Sequence, residues 1–258
     1  HAKDIWTTPK WDIEEKLAEL DWLVTCTAFG ANHLRQLAQR PETISLLYHG
    51  LDFTRFPSPP STNKPCKRKT VLILSVGRAV EKKGYDVLLQ ALALLPRDLQ
   101  WQFSHIGGGP LLGGLRAQAD QLDLTARIEW RGPQPQETVL EALRAADIFT
   151  LASKVADNGD RDGLPNVLME AQSQALAVAA TEAAGIPELI VDGETGLLAP
   201  VNDPDALAVN LTRLIGDPAL RRRLGDAGFD RVRTGFSLDS GIDMLAERLA
   251  SAERPVAA

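Results

Sequence analysis

The run Val71-Leu72-Ile73-Leu74-Ser75-Val76-Gly77-Arg78 sets the pattern for most of this 258-residue chain. A short apolar stretch closed by glycine reads as a strand buried on both sides and ended by a turn. Runs of the same kind recur at 101 to 106, 128 to 131, 148 to 152, 177 to 181 and about 196 to 199, with helical segments between them. Alternation of this sort predicts an α/β fold, a parallel sheet covered by helices on both faces. Ligands on such sheets bind at the carboxyl ends of the strands, so the loops that follow the strands are the place to look for chemistry.

Upstream, residues 9 to 20 and about 30 to 39 are predicted helical, and 21 to 27 and 43 to 48 are predicted strands. Two such pairs are too few to close a core. Residues 1–52 therefore read as the remnant of an amino-terminal domain. A Pro-, Ser- and Lys-rich stretch without periodicity makes 53–70 a linker. Residues 71–236 read as the main domain and 237–258 as a carboxy-terminal helix. Beyond Pro200, helical stretches at 203 to 215, 217 to about 232 and 238 to 253 have no strands between them and are expected to pack back across the structure. Met244, Leu245, Arg248 and Leu249 on the last of these leave a peripheral membrane contact open, but packing across the domains is the preferred account. The chain starts at His1 without a Met or a signal-peptide pattern and reads as a fragment of a longer protein.

Composition is that of an ordinary soluble globular protein, 44% hydrophobic and 24% charged. With 28 basic against 34 acidic residues the net charge is −6, so no nucleic-acid footprint is expected and any cationic site must be local. Cys26 and Cys66 have neither C-x-x-C nor metal spacing and suit either a reducing, cytoplasmic setting or a pair of thiols without a role. No apolar run approaches the length of a membrane span.

Four loops carry candidate chemistry. After the first main-domain strand, Gly77 is followed by Arg78 and Lys83, five apart, before a helix. An arginine fork and a lysine point charge would neutralise a diphosphate, while a solvated surface is the plainer account. After the second strand comes His105-Ile106-Gly107-Gly108-Gly109-Pro110. Its glycines permit close approach of a ligand or make an ordinary turn, and His105 is expected to be a buried structural histidine. After the third, Arg131 and Gly132 stand where they could flank a base, with Trp130 equally well explained by the core.

The fourth loop ends in Asp162-Gly163-Leu164-Pro165-Asn166-Val167-Leu168-Met169-Glu170. Pro165 suits a first helical position, which would make Leu164 the N-cap. The N–H groups of Asn166 and Val167 would then face outward with the positive end of the helix dipole behind them, a site for phosphate. Gly163 would let the ligand close on the backbone. Asp162 and Glu170 would repel phosphate and are better matched to hydroxyl groups. A diphosphate between hydroxyl-rich rings meets both demands, and a nucleotide sugar has that form. Asp160-Arg161-Asp162 also has D-x-D metal spacing. Asn158 to Gly163 resembles the start of an EF-hand loop, but Met169 stands where its glutamate belongs. A solvated acidic loop that presents Asp162 is preferred to either metal reading.

Taken in order, these motifs resemble the retaining glycosyltransferases of the GT-B fold, in the large family that includes sucrose synthase and the phosphatidylinositol mannosyltransferases. The resemblance runs from His49-Gly50-Leu51-Asp52 with Phe56, through Val76-Gly77-Arg78 to Lys83-Gly84, Gly107 to Pro110, Ala145-Ala146-Asp147 and Gly163 to Glu170-Ala171, to Gly185-Ile186-Pro187-Glu188 and Asp192 to Leu198. It implies a Rossmann-like donor-binding domain and transfer of a sugar from a nucleotide diphosphate to an acceptor hydroxyl. No metal or other cofactor is implied, and the nucleotide sugar is a substrate. Arg78 and Lys83 would bind the diphosphate, Asp162 the donor sugar and Glu170 the ribose. The backbone of Gly163, Leu164, Pro165, Asn166 and Val167 would cradle phosphate and sugar, with Gly77, Gly107 and Gly109 beside them and Arg131 and Gly132 meeting the base. The family usually has Glu in place of Asp162. Much of the acceptor-binding domain is absent, and His1 resembles either a residue facing the donor sugar or a cloning remnant. The acceptor would be a carbohydrate or a lipid-linked sugar, in a cytoplasmic setting or at the inner face of a membrane. A nucleotide-binding module without turnover and a GT-B-like epimerase remain as alternatives. A dinucleotide oxidoreductase is disfavoured, since no G-x-G-x-x-G opens a helix after the first strand.

Overall fold

The computed structural model describes residues 2–59 and 69–252. His1, Cys66 and residues 60–68 of the expected linker lie outside them. In chain order the elements are α1 (Ala2–Thr7), α2 (Lys10–Glu19), β1 (Leu23–Thr25), α3 (Ala28–Leu37) and β2 (Ile44–Leu46). Then come β3 (Val71–Val76), α4 (Tyr85–Ala93), β4 (Trp101–Ile106), α5 (Leu112–Gln121), β5 (Ile128–Trp130), α6 (Gln136–Ala145) and β6 (Ile148–Leu151). They are followed by α7 (Asn166–Ser173), β7 (Ala177–Thr181), α8 (Ile186–Leu189), β8 (Leu197–Ala199), α9 (Pro204–Gly216), α10 (Pro218–Gly235) and α11 (Leu238–Ala252). The sixfold run of strands lies where the apolar periodicity places it. Helix α1 has no counterpart among the helices predicted from the sequence.

The six strands from β3 onward form one parallel sheet in the order β5-β4-β3-β6-β7-β8. The chain enters at the middle, steps outward to β5, then returns beside β3 and steps the other way, with Ile73 paired to Ile148 and Leu74 to Phe149 where the direction reverses. A crevice forms at such a reversal because the connections leave β3 and β6 toward opposite faces.

Alternation along each strand divides the core in two. Ile73, Phe103, Ile148, Ala177 and Ala179 face α4, α5 and α9. Leu74, Ile106, Phe149, Leu151, Val178 and Ala180 face α6, α7 and α8. Every residue of β6 and β7 is buried, and these two strands contain no charged residue at all. Burial of an aliphatic side chain contributes about 1.5–3 kcal/mol, which is why the central strands are the most apolar and the most legible.

The amino-terminal elements form a separate layer. β1 and β2 make a two-stranded parallel sheet, and Ile13, Leu17, Ala31, Leu34 and Ile44 form a small core of their own. Leu51 donates to the Phe236 carbonyl at 2.8 Å and accepts from Leu238 at 3.2 Å. Arg248 of α11 donates to Ser45 Oγ at 2.6 Å, so the terminal helices do pack back across the molecule. Among the described residues no helix is long and apolar enough to cross a membrane.

Glu188 fastens the two layers. Its carboxylate accepts from the N–H groups of Ala28 at 2.6 Å and Phe29 at 2.8 Å, and from the Tyr48 hydroxyl at 2.9 Å. Thr27 already caps the third amide of α3 through its hydroxyl, so Glu188 completes the helix start from across the interface. Burial and the Glu188 charge push the Tyr48 phenol up to about 12. Glu188→Ala is expected to cost about 2 kcal/mol locally. Hydrogen exchange should show α3 amides opening roughly thirtyfold faster, by the relation of tenfold per 1.4 kcal/mol; unchanged exchange would show that the cap does not hold the layers together.

Candidate functional site

Because the sheet is parallel, the loops after β3, β4, β5 and β6 all leave from one edge. They are stitched to one another by backbone hydrogen bonds. Ala79 N–H donates to the Gly108 carbonyl at 2.7 Å, Gly107 to Gly132 at 3.0 Å, and Arg131 to His105 at 2.9 Å. Gly107 holds φ at +148°, and a Cβ there would stand 1.9 Å from the Gly77 carbonyl oxygen. A Cβ on Gly109 would stand 2.6 Å from that of Ala79. These two glycines let the loops close on each other, a structural use that their spacing alone does not separate from ligand approach. His105 is wholly buried, as expected, with Nε2 3.0 Å from the Gly77 carbonyl oxygen.

Across the reversal, the loop from Gly77 to Gly84 meets the loop from Ser153 to Gly163. Lys83 Nζ lies 2.8 Å from Asp162 Oδ2, and the Ser153 hydroxyl donates to the same oxygen at 2.8 Å. Lys82 Nζ lies 3.1 Å from Asp160 Oδ1 and 3.8 Å from Asp162 Oδ1. Two residues expected to serve separate parts of a ligand, Lys83 and Asp162, are thus paired with each other. The D-x-D carboxylates both face lysines. Arg78 stands exposed on the first of these loops, and its guanidinium has no hydrogen bond or ion pair among the described residues.

The helix start corrects one expectation. Pro165 is the N-cap, with φ −65° and ψ 120°, and α7 begins at Asn166; Leu164 is not the cap but is buried in the core behind it. Proline fixes φ in both positions, and the extended ψ that an N-cap needs is what decides between them. As the first two helical residues, Asn166 and Val167 keep N–H groups with no intrahelical acceptor. Glu170 lies one turn along, on the face of Asn166. Burial pushes its carboxyl up, offset in part by the Arg55 charge, and its carboxylate has no hydrogen bond among the described residues. His49 stands beside the same helix start; burial lowers its pKa, with the Asn166 side chain pulling the other way.

Residues 61–231 match the family described as glycosyl transferases group 1. The chain belongs to this family. It is 38% identical over 178 residues to the amylovoran biosynthesis glycosyltransferase AmsK of Erwinia amylovora, covering 69% of this chain and 44% of that protein. It superposes on sucrose-phosphate synthase of Thermosynechococcus elongatus with a TM-score of 0.80 at 25% identity, covering 95% of this chain and 62% of that one. Anabaena HepE, solved in complex with UDP and glucose, gives 0.80 at 18% identity, with 94% and 68% covered. The fold is accordingly the α/β GT-B type with a Rossmann-like sheet. The chain spans about half the length of the curated relatives it matches.

Further features of this group 1 chain involve expected site residues and the amino-terminal layer. Arg161 stacks its guanidinium 4.4 Å from the ring centroid of Trp6 on α1, tying the Asp162 loop to the amino-terminal layer. Arg131 lines a cleft of about 440 Å³ between the β4–β5 flank and α6. An apolar cavity of about 620 Å³ between α1, α2 and β1 reaches His49 and Gly163. His49, Lys82 and Ser153 join the site although the sequence alone offers no candidate role for them; each is brought in by a partner outside its own motif.

Proposed function

We propose that this chain is the donor-binding half of a retaining glycosyltransferase that moves a sugar from a nucleotide diphosphate to an acceptor hydroxyl. The observation that carries the reading is the start of α7. It offers two amides without intrahelical acceptors, with Asp162, paired with Lys83, on the loop that leads into it and a half-buried carboxylate, Glu170, that has no hydrogen bond among the described residues. Backbone amides and the helix dipole attract the diphosphate; Arg78 and Lys83 add mobile cations. Glu170 accepts from ribose hydroxyls and Asp162 from the sugar. Arg131 and Gly132 meet the base.

As the sugar–phosphate bond breaks, negative charge grows on the diphosphate and positive charge on the sugar. The amides of Asn166 and Val167 with Arg78 and Lys83 stabilise the former. The departing phosphate oxygen takes the acceptor's proton on the same face, so no side chain here serves as nucleophile, and no cofactor or metal enters. Polysaccharide assembly is the setting suggested by relatives such as AmsK, with a carbohydrate or lipid-linked acceptor and a cytoplasmic site of action. The half-length match favours a second reading for the chain by itself, a nucleotide-binding module without turnover.

A screen of UDP, GDP, ADP and CDP for thermal stabilisation tests the site, since only a ligand bound by the folded state raises the midpoint. Glu170→Ala is expected to weaken the selected nucleotide by about tenfold to a hundredfold, the loss of hydrogen bonds to a charged group. Equal calorimetric affinity in the variant would remove Glu170 from the site.

A further inference from the structure

We propose that Lys82 and Ser153 are positioning residues that keep Asp162 in place when a diphosphate draws Lys83 away, so that diphosphate binding prepares the carboxylate for the sugar. This rests on the donor-site reading above and goes further by stating how its two halves are coupled. Asp162 Oδ2 is shared by Lys83 at 2.8 Å and the Ser153 hydroxyl at 2.8 Å. Both Lys83 and Asp162 retain some exposure, with 14% and 11% of their side chains accessible. An entering anion can therefore reach the ammonium without unfolding the loop. A lysine is a point charge on a rotatable stem, and a diphosphate carries more charge than one carboxylate. Lys83 is thus free to turn from Asp162 to phosphate. When it does, the lone pair of Oδ2 that Lys83 held can accept from a sugar hydroxyl, with Ser153 still donating to the other.

The carboxylate must not follow the lysine or collapse elsewhere. Ser153 is wholly buried, and its carbonyl is held by the Thr181 hydroxyl, so its Oγ is a fixed donor. Lys82 sits on the opposite oxygen and is itself held by Asp160 at 3.1 Å. Its backbone carbonyl also accepts from Lys154 N–H at 2.9 Å. These bonds keep it on the carboxylate side. Lys82 and Ser153 thus remain when Lys83 leaves, one on each oxygen. Asp162 has only two side-chain torsions, so these two partners suffice to define where its oxygens point.

The test is calorimetric and needs no acceptor. The chain is titrated with UDP and UDP-glucose, UDP-galactose, GDP and GDP-mannose, and the diphosphate and nucleotide sugar bound by the unmutated chain are carried forward. The measured quantity is the ratio of nucleotide-sugar affinity to diphosphate affinity. Lys82→Met and Ser153→Ala are each expected to lower this ratio about tenfold while diphosphate affinity stays within about twofold, and Lys82→Arg to restore it. Lys83→Met should instead weaken the diphosphate itself. Diphosphate affinity that falls in Lys82→Met as it does in Lys83→Met would make Lys82 a phosphate ligand and overturn the proposal. A ratio unchanged in Lys82→Met would overturn it too, and that variant, altered at a partly exposed side chain, carries the test if Ser153→Ala does not fold. Either result leaves the donor site standing. An unmutated chain that binds none of these ligands, and neither ADP nor CDP, would refute the donor site and this coupling together.

Discussion

Acidification from pH 7 to pH 4 is expected to remove about 3 kcal/mol of stability through His105 alone. Its pKa is lowered to about 4, first by burial, with the Gly77 carbonyl pulling weakly the other way. A carbonyl only accepts, so Nε2 carries the proton and Nδ1 holds the lone pair. Nδ1 is buried and has no partner among the described residues. Tyr85 and Trp130 pack edge-on against the ring, with centroids at 4.5 and 5.4 Å. A second proton would thus charge the ring where no acceptor waits. Between the unfolded value near 6.5 and the folded value, the unfolded chain binds more protons, so stability is whole above the window and falls as the pH drops through it. Denaturant unfolding at pH 7, 6, 5 and 4 measures the slope. Carboxylates contribute to that slope as well, so the comparison is with His105→Gln, whose amide keeps a donor for Gly77 without a titrating lone pair. The difference between the two proteins should shrink toward pH 4 by about 3 kcal/mol; parallel curves would show that His105 is not held neutral by the fold.

His105 also shows what is legible in the sequence and what is not. Its burial follows from its place near the end of the strand run that Gly107 closes, and the six strands of the main sheet follow from similar reasoning, because strands covered on both faces are predominantly apolar. The start of α7 is legible to within one residue. Pro165 has one φ whether it caps a helix or opens it, and ψ has no signature in a single sequence. Helix α1 is only six residues long, and Ala2, Ile5 and Trp6 are too short a pattern to mark a helix on their own. The network around Asp162 is legible only in part. Lys83 and Asp162 are separated by 79 positions, and nothing local says that they face each other or that Lys82 serves the neighbouring carboxylates. Glycine is the most ambiguous signal. Gly107 and Gly109 do mark places where something comes close, but a neighbouring loop and a ligand ask the same thing of a backbone.

That ambiguity can be resolved at Gly84, where Gly84→Ala is expected to destabilise the chain by about 3 kcal/mol or more. Gly84 adopts φ 60° and ψ 30° between the turn carrying Lys82 and Lys83 and the first residue of α4. The left-handed conformation alone costs a non-glycine residue about 1–2 kcal/mol. The larger part is steric, since a Cβ would stand 1.8 Å from the Ala152 carbonyl oxygen. Ala152 is buried at the end of β6 and does not yield easily, so the β3 loop must retreat by more than an ångström. Retreat strains the Lys154–Lys82 backbone bond and draws both lysines off Asp160 and Asp162. Stability and nucleotide affinity should therefore fall together, which a core mutation remote from the site would not produce. Gly114→Ala is the matched control. It lies in α5, where an added methyl would meet nothing within 4 Å, and the same substitution there should stabilise by about 0.5–1 kcal/mol through helix propensity. Denaturation midpoints of the two variants should move in opposite directions. A Gly84→Ala chain as stable as its parent, with nucleotide affinity intact, would mean that the two loops are free to part and that the geometry around Asp162 is not set by their contact.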